Sequence, residues 1–319
     1  MTDVTLLLCT RDRAASLGGT LASITHAAAH VRLAIEVIVV DNGSSDDTPA
    51  RLAAWAADQS FTVCILHEPQ AGLARARNRG LAQARGAVIA MTDDDCVLHA
   101  GYFDALAAAF AQVPAPAIVG GRILPGDPAD LPVTIKLEDH PMRLDADAFP
   151  GGFVMGANLA FTRDVVALVG PFDDRFGAGA RFVAAEDTDF LFRAKGLGIP
   201  VAYDPGFVVD HHHGRRREDA VVALLAGYGF GDGALYAKHI RDRRIVRAIG
   251  QDLQDVWTGW RSGVRPFPFI RSFYLFRLRW KVRGFLAYAA SALRSRSTSR
   301  QPMSRLQKPS AKSSASTPR

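Results

Sequence analysis

The stretch AVIAMTDDDC, residues 87–96, decides how this chain folds. It opens on an apolar run containing Val88 and Ile89, the pattern of a strand buried on both faces, and ends abruptly in three carboxylates. A sheet that delivers acids at its carboxyl edge is building a site. On an extended backbone, Asp93 and Asp95 would point to one side and Asp94 to the other. Two neighbouring carboxylates repel at neutral pH, and a raised pKa or a bound cation relieves them. Hard oxygen ligands suit Mg²⁺ or Mn²⁺, which keep positions open for diphosphate oxygens. The alternative is a solvated turn whose aspartates cap a helix starting near Gly101.

Working outward, the same unit recurs. VTLLLCT (4–10) and IEVIVVD (35–41) are apolar strands ending in polar residues; a helix face marked by Leu17, Leu21 and Ile24 follows the first. Asp47 ahead of Pro49 opens another helix. Residues 62–67 form a third strand, followed by an Ala- and Arg-rich helix that stops at Gly86. Four strand–helix steps in under 100 residues predict an α/β fold with a mostly parallel central sheet and helices on both faces. Ligands then bind beyond the carboxyl ends of the strands, where Thr10, Asp41 and Asp93 meet.

Past Gly101 the pattern loosens. A strand is expected at 118–121, loop through 125–150, a helix from EDTDFLFR (186–193) to Gly196, and a last extended segment at 201–209 running into DHHHGRRR (210–217). FRLRWKVR (276–283) alternates strictly, which fits a strand better than an amphipathic helix. Residues 295–319, rich in Ser, Lys, Arg and Pro, read as disordered. The expected division is a catalytic domain over 1–219, an accessory segment over 220–294 that meets a membrane surface, and the basic tail.

The 319 residues are 48% hydrophobic and 22% charged, ordinary globular composition. Charge placement says more than the net +6: no Asp or Glu follows Asp255, whereas fourteen Lys or Arg do, leaving 24 basic against 32 acidic residues before it. An acidic body with a basic end suits a polyanionic surface rather than a nucleic-acid groove. Cys9, Cys64 and Cys96 lack CxxC spacing and read as core residues of a reducing compartment. No signal peptide or uninterrupted apolar span is evident, so the expected location is peripheral, on the cytoplasmic face of a membrane.

Six motifs in order, CTRDR (9–13), EVIVVDNGSSDDT (36–48), GLARARNRG (72–80), TDDDC (92–96), GANLAF (156–161) and EDTDFLFR (186–193), resemble the inverting glycosyltransferases of family 2. The resemblance implies a Rossmann-like GT-A fold, a nucleotide-diphosphate sugar donor, Mn²⁺ or Mg²⁺, and a single displacement onto an acceptor hydroxyl, lipid-linked or saccharide. It puts Thr10, Arg13, Asp41, Arg77, Asp93 and Asp94 toward the donor. It also puts Asp93, Asp95 and His211 on the cation, Asn158 and Glu186 near the sugar or acceptor, and Asp187 as general base. Asp187 also stands where a helix N-cap would, and Asp41 where an Asx-type turn cap would. His211 and His213 share a face on an extended segment, so a zinc pair competes with the His211 reading. The rival classes are a nucleotidyltransferase, which would carry a glycine-rich loop where 10–16 is TRDRAAS, and a non-catalytic nucleotide-sugar-binding protein.

Overall fold

The computed structural model describes residues 2–29, 31–263 and 265–298. In chain order the elements are β1 (Val4–Thr10), α1 (Gly18–Ala28), β2 (Ile35–Asp41), α2 (Thr48–Ala57), β3 (Thr62–His67), α3 (Leu73–Leu81), β4 (Val88–Asp93), β5 (Cys96–Leu98) and α4 (Tyr102–Ala111). Then follow β6 (Ile118–Pro125), β7 (Met142–Arg143), β8 (Asn158–Thr162), α5 (Arg163–Val169), α6 (Glu186–Gly196), β9 (Val201–His211), α7 (Glu218–Lys238), α8 (Arg243–Ser262) and α9 (Phe273–Thr298).

One mixed sheet runs in the order β3-β2-β1-β4-β8-β6-β9-β5, with β7 on β9. Its first four strands are parallel, as the recurring strand–helix unit requires. Alternation along β1 divides the core: Leu6 and Leu8 face α1 and α4, while Leu7 joins Ile38, Met91 and residues of α3, α5 and α6 on the other side. Register then fixes the site edge, with Thr10 beside Asp41 and Cys9 beside Asp93.

A third apolar cluster joins Phe176, Phe182 and Phe192 to Leu235 of α7 and Ile245 of α8, so the C-terminal helices pack directly on the sheet-bearing part. Helices α7 and α9 cross almost backbone to backbone. A Cβ at Gly233 would lie 1.8 Å from the Lys281 carbonyl oxygen, and one at Gly284 would lie 1.9 Å from that of Phe230. Helix α7 has the length and composition of a membrane span, yet half of it is buried in the protein, where its Asp232 pairs with Arg277 and Lys281.

Two expectations change here. Residues 276–283 are helical, because the charges that alternate in sequence are sorted around the helix by distant partners. Lys281 turns inward to Asp252 at 2.7 Å and Arg277 to Asp232, while Arg279 and Arg283 stay exposed. The expected disordered tail begins later than 295, since α9 runs to Thr298; the rest of it, 299–319, lies outside the described residues.

Candidate active site

The acids at 93–95 do not alternate as a strand would place them. Strand β4 ends at Asp93, and Asp94 and Asp95 form the turn into β5. Arg13 therefore reaches two of them, with Nε 3.2 Å from Asp94 and a terminal nitrogen 3.6 Å from Asp95. Asp93 takes the buried Arg77 instead, at 3.3 Å. Burial raises the pKa of Asp93, opposed by Arg77 and reinforced by Asp95. Burial likewise raises Asp94 to about 6, against the nearby Thr10 hydroxyl and Arg13. None of the three aspartates caps α4, whose N-cap position is Gly101 with no side-chain cap.

Antiparallel pairing of β5 with β9 sets His211 opposite Cys96 and beside the acid turn. Its Nε2 lies 3.2 Å from Asp95 Oδ1, while its Nδ1 faces the Thr134 carbonyl at 3.1 Å. With the Nδ1 proton donated to that carbonyl, the Nε2 lone pair points at a carboxylate, an arrangement that only a proton or a cation resolves. Burial and charge oppose each other here. Burial alone would raise Asp95 and lower His211, yet their mutual hydrogen bond and charge reverse both.

Among the described residues, the one cluster compact enough to hold a metal is Asp95, Cys96 and His211, with ligand atoms within 4.8 Å of one another. Burial, aided by Asp93 and Asp95, keeps the Cys96 thiol protonated, leaving an oxygen and an imidazole nitrogen, a set that fits a hard cation. Asp93 stands outside this cluster. His213 faces Asp130 at 3.7 Å and the edge of His211 and is not part of this cluster, so among the described residues the two histidines do not gather one zinc ligand set.

Arg77 is the bridge across the cleft, since its other terminal nitrogen lies 2.8 Å from Glu186. It is close-packed: a Cβ at Gly156 would sit 2.7 Å from the guanidinium. Glu186, at the start of α6, is pushed up to about 7 by burial and by Asp187, with Arg77 opposing. The N-cap position of α6 is Ala185, in the left-handed region at φ 72°, so Asp187 is not the cap. Its carboxylate is instead held from two sides, by the Gly156 amide at 3.0 Å and the Thr188 amide at 2.6 Å, and remains partly open. Asp189, two residues on, faces away into a buried network with Arg193, Lys238 and His239.

At the donor end, the Thr10 hydroxyl is buried next to the Asp94 carboxyl and makes no well-formed hydrogen bond among the described residues, which leaves it available to a ligand. Asp41 accepts from the Ser44 amide at 3.1 Å and faces His67 Nδ1 at 3.0 Å, so its turn-capping role is present. Asn158 is removed from the site. It is fully buried, receives Tyr102 O–H, and donates to the carbonyls of Arg122 and Phe207, which uses its amide in tying β8 to the core.

Two cleft residues escaped the sequence reading. Tyr228 of α7 is 39% exposed overall, with its hydroxyl within electrostatic reach of Asp187, Arg215, Asp93 and Glu186; burial of that end and Asp187 raise its pKa. Arg215 is the arginine of the 215–217 run near enough to Asp95 for its charge to lower that carboxyl's pKa, whereas Arg216 pairs with Asp127 and Asp130, and Arg217 with Asp219.

The comparisons agree with this geometry. The chain is 28% identical over 246 residues to the pre-mycofactocin glycosyltransferase of Mycobacterium tuberculosis, covering 74% of this chain and 48% of that one. It thus spans about half the length of the curated relatives it matches first. It is 25% identical over 219 residues to the glucosyl-dolichyl phosphate glucuronosyltransferase of Haloferax volcanii, covering 65% of this chain and 68% of that one. The mannosyltransferase PcManGT from Pyrobaculum calidifontis, solved with GDP-Man and Mn²⁺, superposes with a TM-score of 0.61 at 21% identity over 93% of this chain and 79% of that one. S. aureus TarS 1–349 with UDP gives 0.51 at 13% over 92% of each. At such identities these structures establish the shared fold. The "Glycosyl transferase family 2" model matches residues 5–169, more than half of the chain, which therefore belongs to that family.

Proposed function

We propose that the enzyme is an inverting transferase that moves a sugar from a nucleotide-diphosphate sugar to an acceptor hydroxyl, with a divalent cation and with Asp187 as general base. The observation that carries this reading is the pairing of two opposed devices across one cleft. The lone pairs of Asp95 and His211 converge at 3.2 Å on one side, and a partly open carboxylate held by two backbone amides stands on the other. Arg77 links the two sides through Asp93 and Glu186. A leaving group on one side and a base on the other suit a single displacement, which inverts the anomeric centre.

Asp95 and His211 would hold Mn²⁺ or Mg²⁺, with Asp93 next to them. Such an ion neutralises the charge that develops on a departing diphosphate. Arg215, near the same carboxylate, adds a positive charge for the phosphates. Thr10 and Asp41, side by side at the strand ends, offer a hydroxyl and a carboxylate to the nucleoside. Asp187 takes the proton of the acceptor hydroxyl as it attacks, its oxygens held in place by Gly156 and Thr188. Tyr228 stands beside it, on the wall an acceptor would meet. The GDP-Man and UDP-GlcNAc bound to structural neighbours support a nucleotide-sugar donor, and the dolichyl-phosphate relative supports a lipid-linked acceptor.

A panel of nucleotide sugars assayed for donor hydrolysis with Mn²⁺ tests the reading. Turnover of at least one donor is expected, abolished by chelator and by Asp95→Asn. Full turnover in excess chelator would overturn the metal-dependent mechanism.

A further inference from the structure

We propose that the outer face formed by α8 and α9 docks the enzyme on an anionic lipid bilayer. On α8, Val246, Leu253, Trp257 and Trp260 are exposed at 59, 55, 57 and 76%. Their spacing puts all four within about 80° of one another around the helix. The opposite face of α8, with Ile245 and Ala248, is buried in the protein. On α9, Val282 and Leu286 form a parallel exposed stripe. A cavity of about 140 Å³ beside the α9 stripe is lined by Ile249, Leu278, Phe285, Val282 and Leu286, with the Asp252–Lys281 pair and Tyr236 completing its wall.

The charges choose the occupant. Arg243 and Arg261 follow the α8 stripe along one flank, about 40° from Trp257, with Arg247 beside them paired to Asp147 at 2.5 Å, and Arg279 and Arg283 flank the α9 stripe. The α8 acids Asp252 and Asp255 lie on the far side of the helix, and Asp252 is consumed by Lys281. No acid occurs after Asp255. Tryptophans with interleaved arginines are the composition of a headgroup-level surface. A second copy docked on this face by two-fold symmetry would bring arginine flank against arginine flank, with Asp147 as the acid at hand, already paired to Arg247. The face also relates to the site. Tyr236 of α7 lines the cavity, eight residues and about 12 Å along the helix from Tyr228 at the base.

Within the segment 220–294 that the sequence assigns to a membrane surface, the basic and aromatic run 261–283 is the compositional centre; the face proposed here is centred upstream of it, because much of that run's aromatic surface is covered while Trp257 and Trp260 project outward. The inference extends the proposed function to a membrane-borne acceptor, and the two are measured separately.

The full chain is co-sedimented with vesicles of phosphatidylcholine alone or with phosphatidylglycerol, across a salt series, with tryptophan emission recorded and donor hydrolysis assayed in parallel. Binding should require phosphatidylglycerol, weaken with salt and shift emission to the blue. Trp257→Ser with Trp260→Ser should weaken partition on the order of tenfold or more. Arg279→Gln and Arg283→Gln should each cost up to roughly fivefold. Melting temperature and donor hydrolysis should be unchanged in all of them. Failure of the wild-type chain to bind phosphatidylglycerol vesicles, or full binding by the double tryptophan variant, would overturn the docking face. So would a dimer that the tryptophan variant dissolves without any vesicle binding. Absent hydrolysis with intact vesicle binding would count against the proposed chemistry alone.

Discussion

Asp187 and Asp189 sit two residues apart on α6, and replacing each with Asn should produce opposite phenotypes. Asp189 is fully buried, and its carboxylate accepts from Arg193 Nε at 2.9 Å, Lys238 Nζ at 2.7 Å and His239 Nε2 at 2.8 Å. Asp189→Asn keeps the shape but removes the charge that two buried cations and an imidazole were built around. Breaking a buried pair from one side costs about 3–5 kcal/mol. Lys238 retains Asp173 at 2.8 Å, which favours the lower end. At about 2–4 °C per kcal/mol, the melting midpoint should fall by on the order of 5–10 °C.

The pH dependence follows with its sign. Burial would raise the Asp189 pKa, but His239, Lys238 and Arg193 together depress it below the usual carboxylate value, and Asp173 is depressed as well. A depressed folded-state pKa contributes stability that is fully present above the unfolded value of about 3.9 and is lost as pH falls through the folded one. Wild-type stability should therefore drop below about pH 4, and Asp189→Asn should flatten that drop. Urea denaturation at several pH values, with nucleotide binding measured well below the midpoint, checks both. An Asp189→Asn protein with wild-type stability, or one with normal stability but no turnover, would refute the assignment of Asp189 to structure.

Gly284→Ala would place a Cβ 1.9 Å from the Phe230 carbonyl and push α9 off α7. A loss of about 1–3 kcal/mol in urea denaturation is expected, and a neutral effect would mean the helices are not in backbone contact. Arg215→Gln removes a charge-assisted phosphate contact, so nucleoside diphosphate binding by calorimetry should weaken by about tenfold or more while nucleoside binding stays unchanged. Tyr228→Phe should slow transfer to acceptor more than donor hydrolysis; equal effects on both would remove Tyr228 from the acceptor wall.

The parallel half of the fold was legible because β1, β2 and β4 are buried on both faces and written as mostly apolar runs, each ending in the residue that reaches the site. The His211–Asp95 contact was half legible. Alternation on an extended segment selected His211 and His213, but only the pairing of β5 with β9 brings His211 to Asp95. Asn158 looked functional because it is a single polar residue in a glycine-rich apolar stretch. Its partners, Tyr102 and the carbonyls of Arg122 and Phe207, are 36 to 56 residues away, and no local pattern announces them. Helix α9 was misread for the same reason, since the acids that draw Lys281 and Arg277 inward belong to α8 and α7. Gly229, Gly233 and Gly284 were the available signal for that crossing, because small residues four apart permit close backbone approach. Tyr228, one of the tyrosines in an Ala- and Gly-rich run, carried no signal at all.

The account rests on Asp187 acting as the base from a carboxylate anchored by Gly156 and Thr188. The most direct test is Asp187→Asn, measured for turnover of an accepted donor, for donor binding by calorimetry and for melting temperature in one preparation. Turnover should fall on the order of 10²-fold or more, with binding and melting unchanged. A variant that turns over within a few fold of wild type, or whose only change is a lower melting temperature, would contradict it.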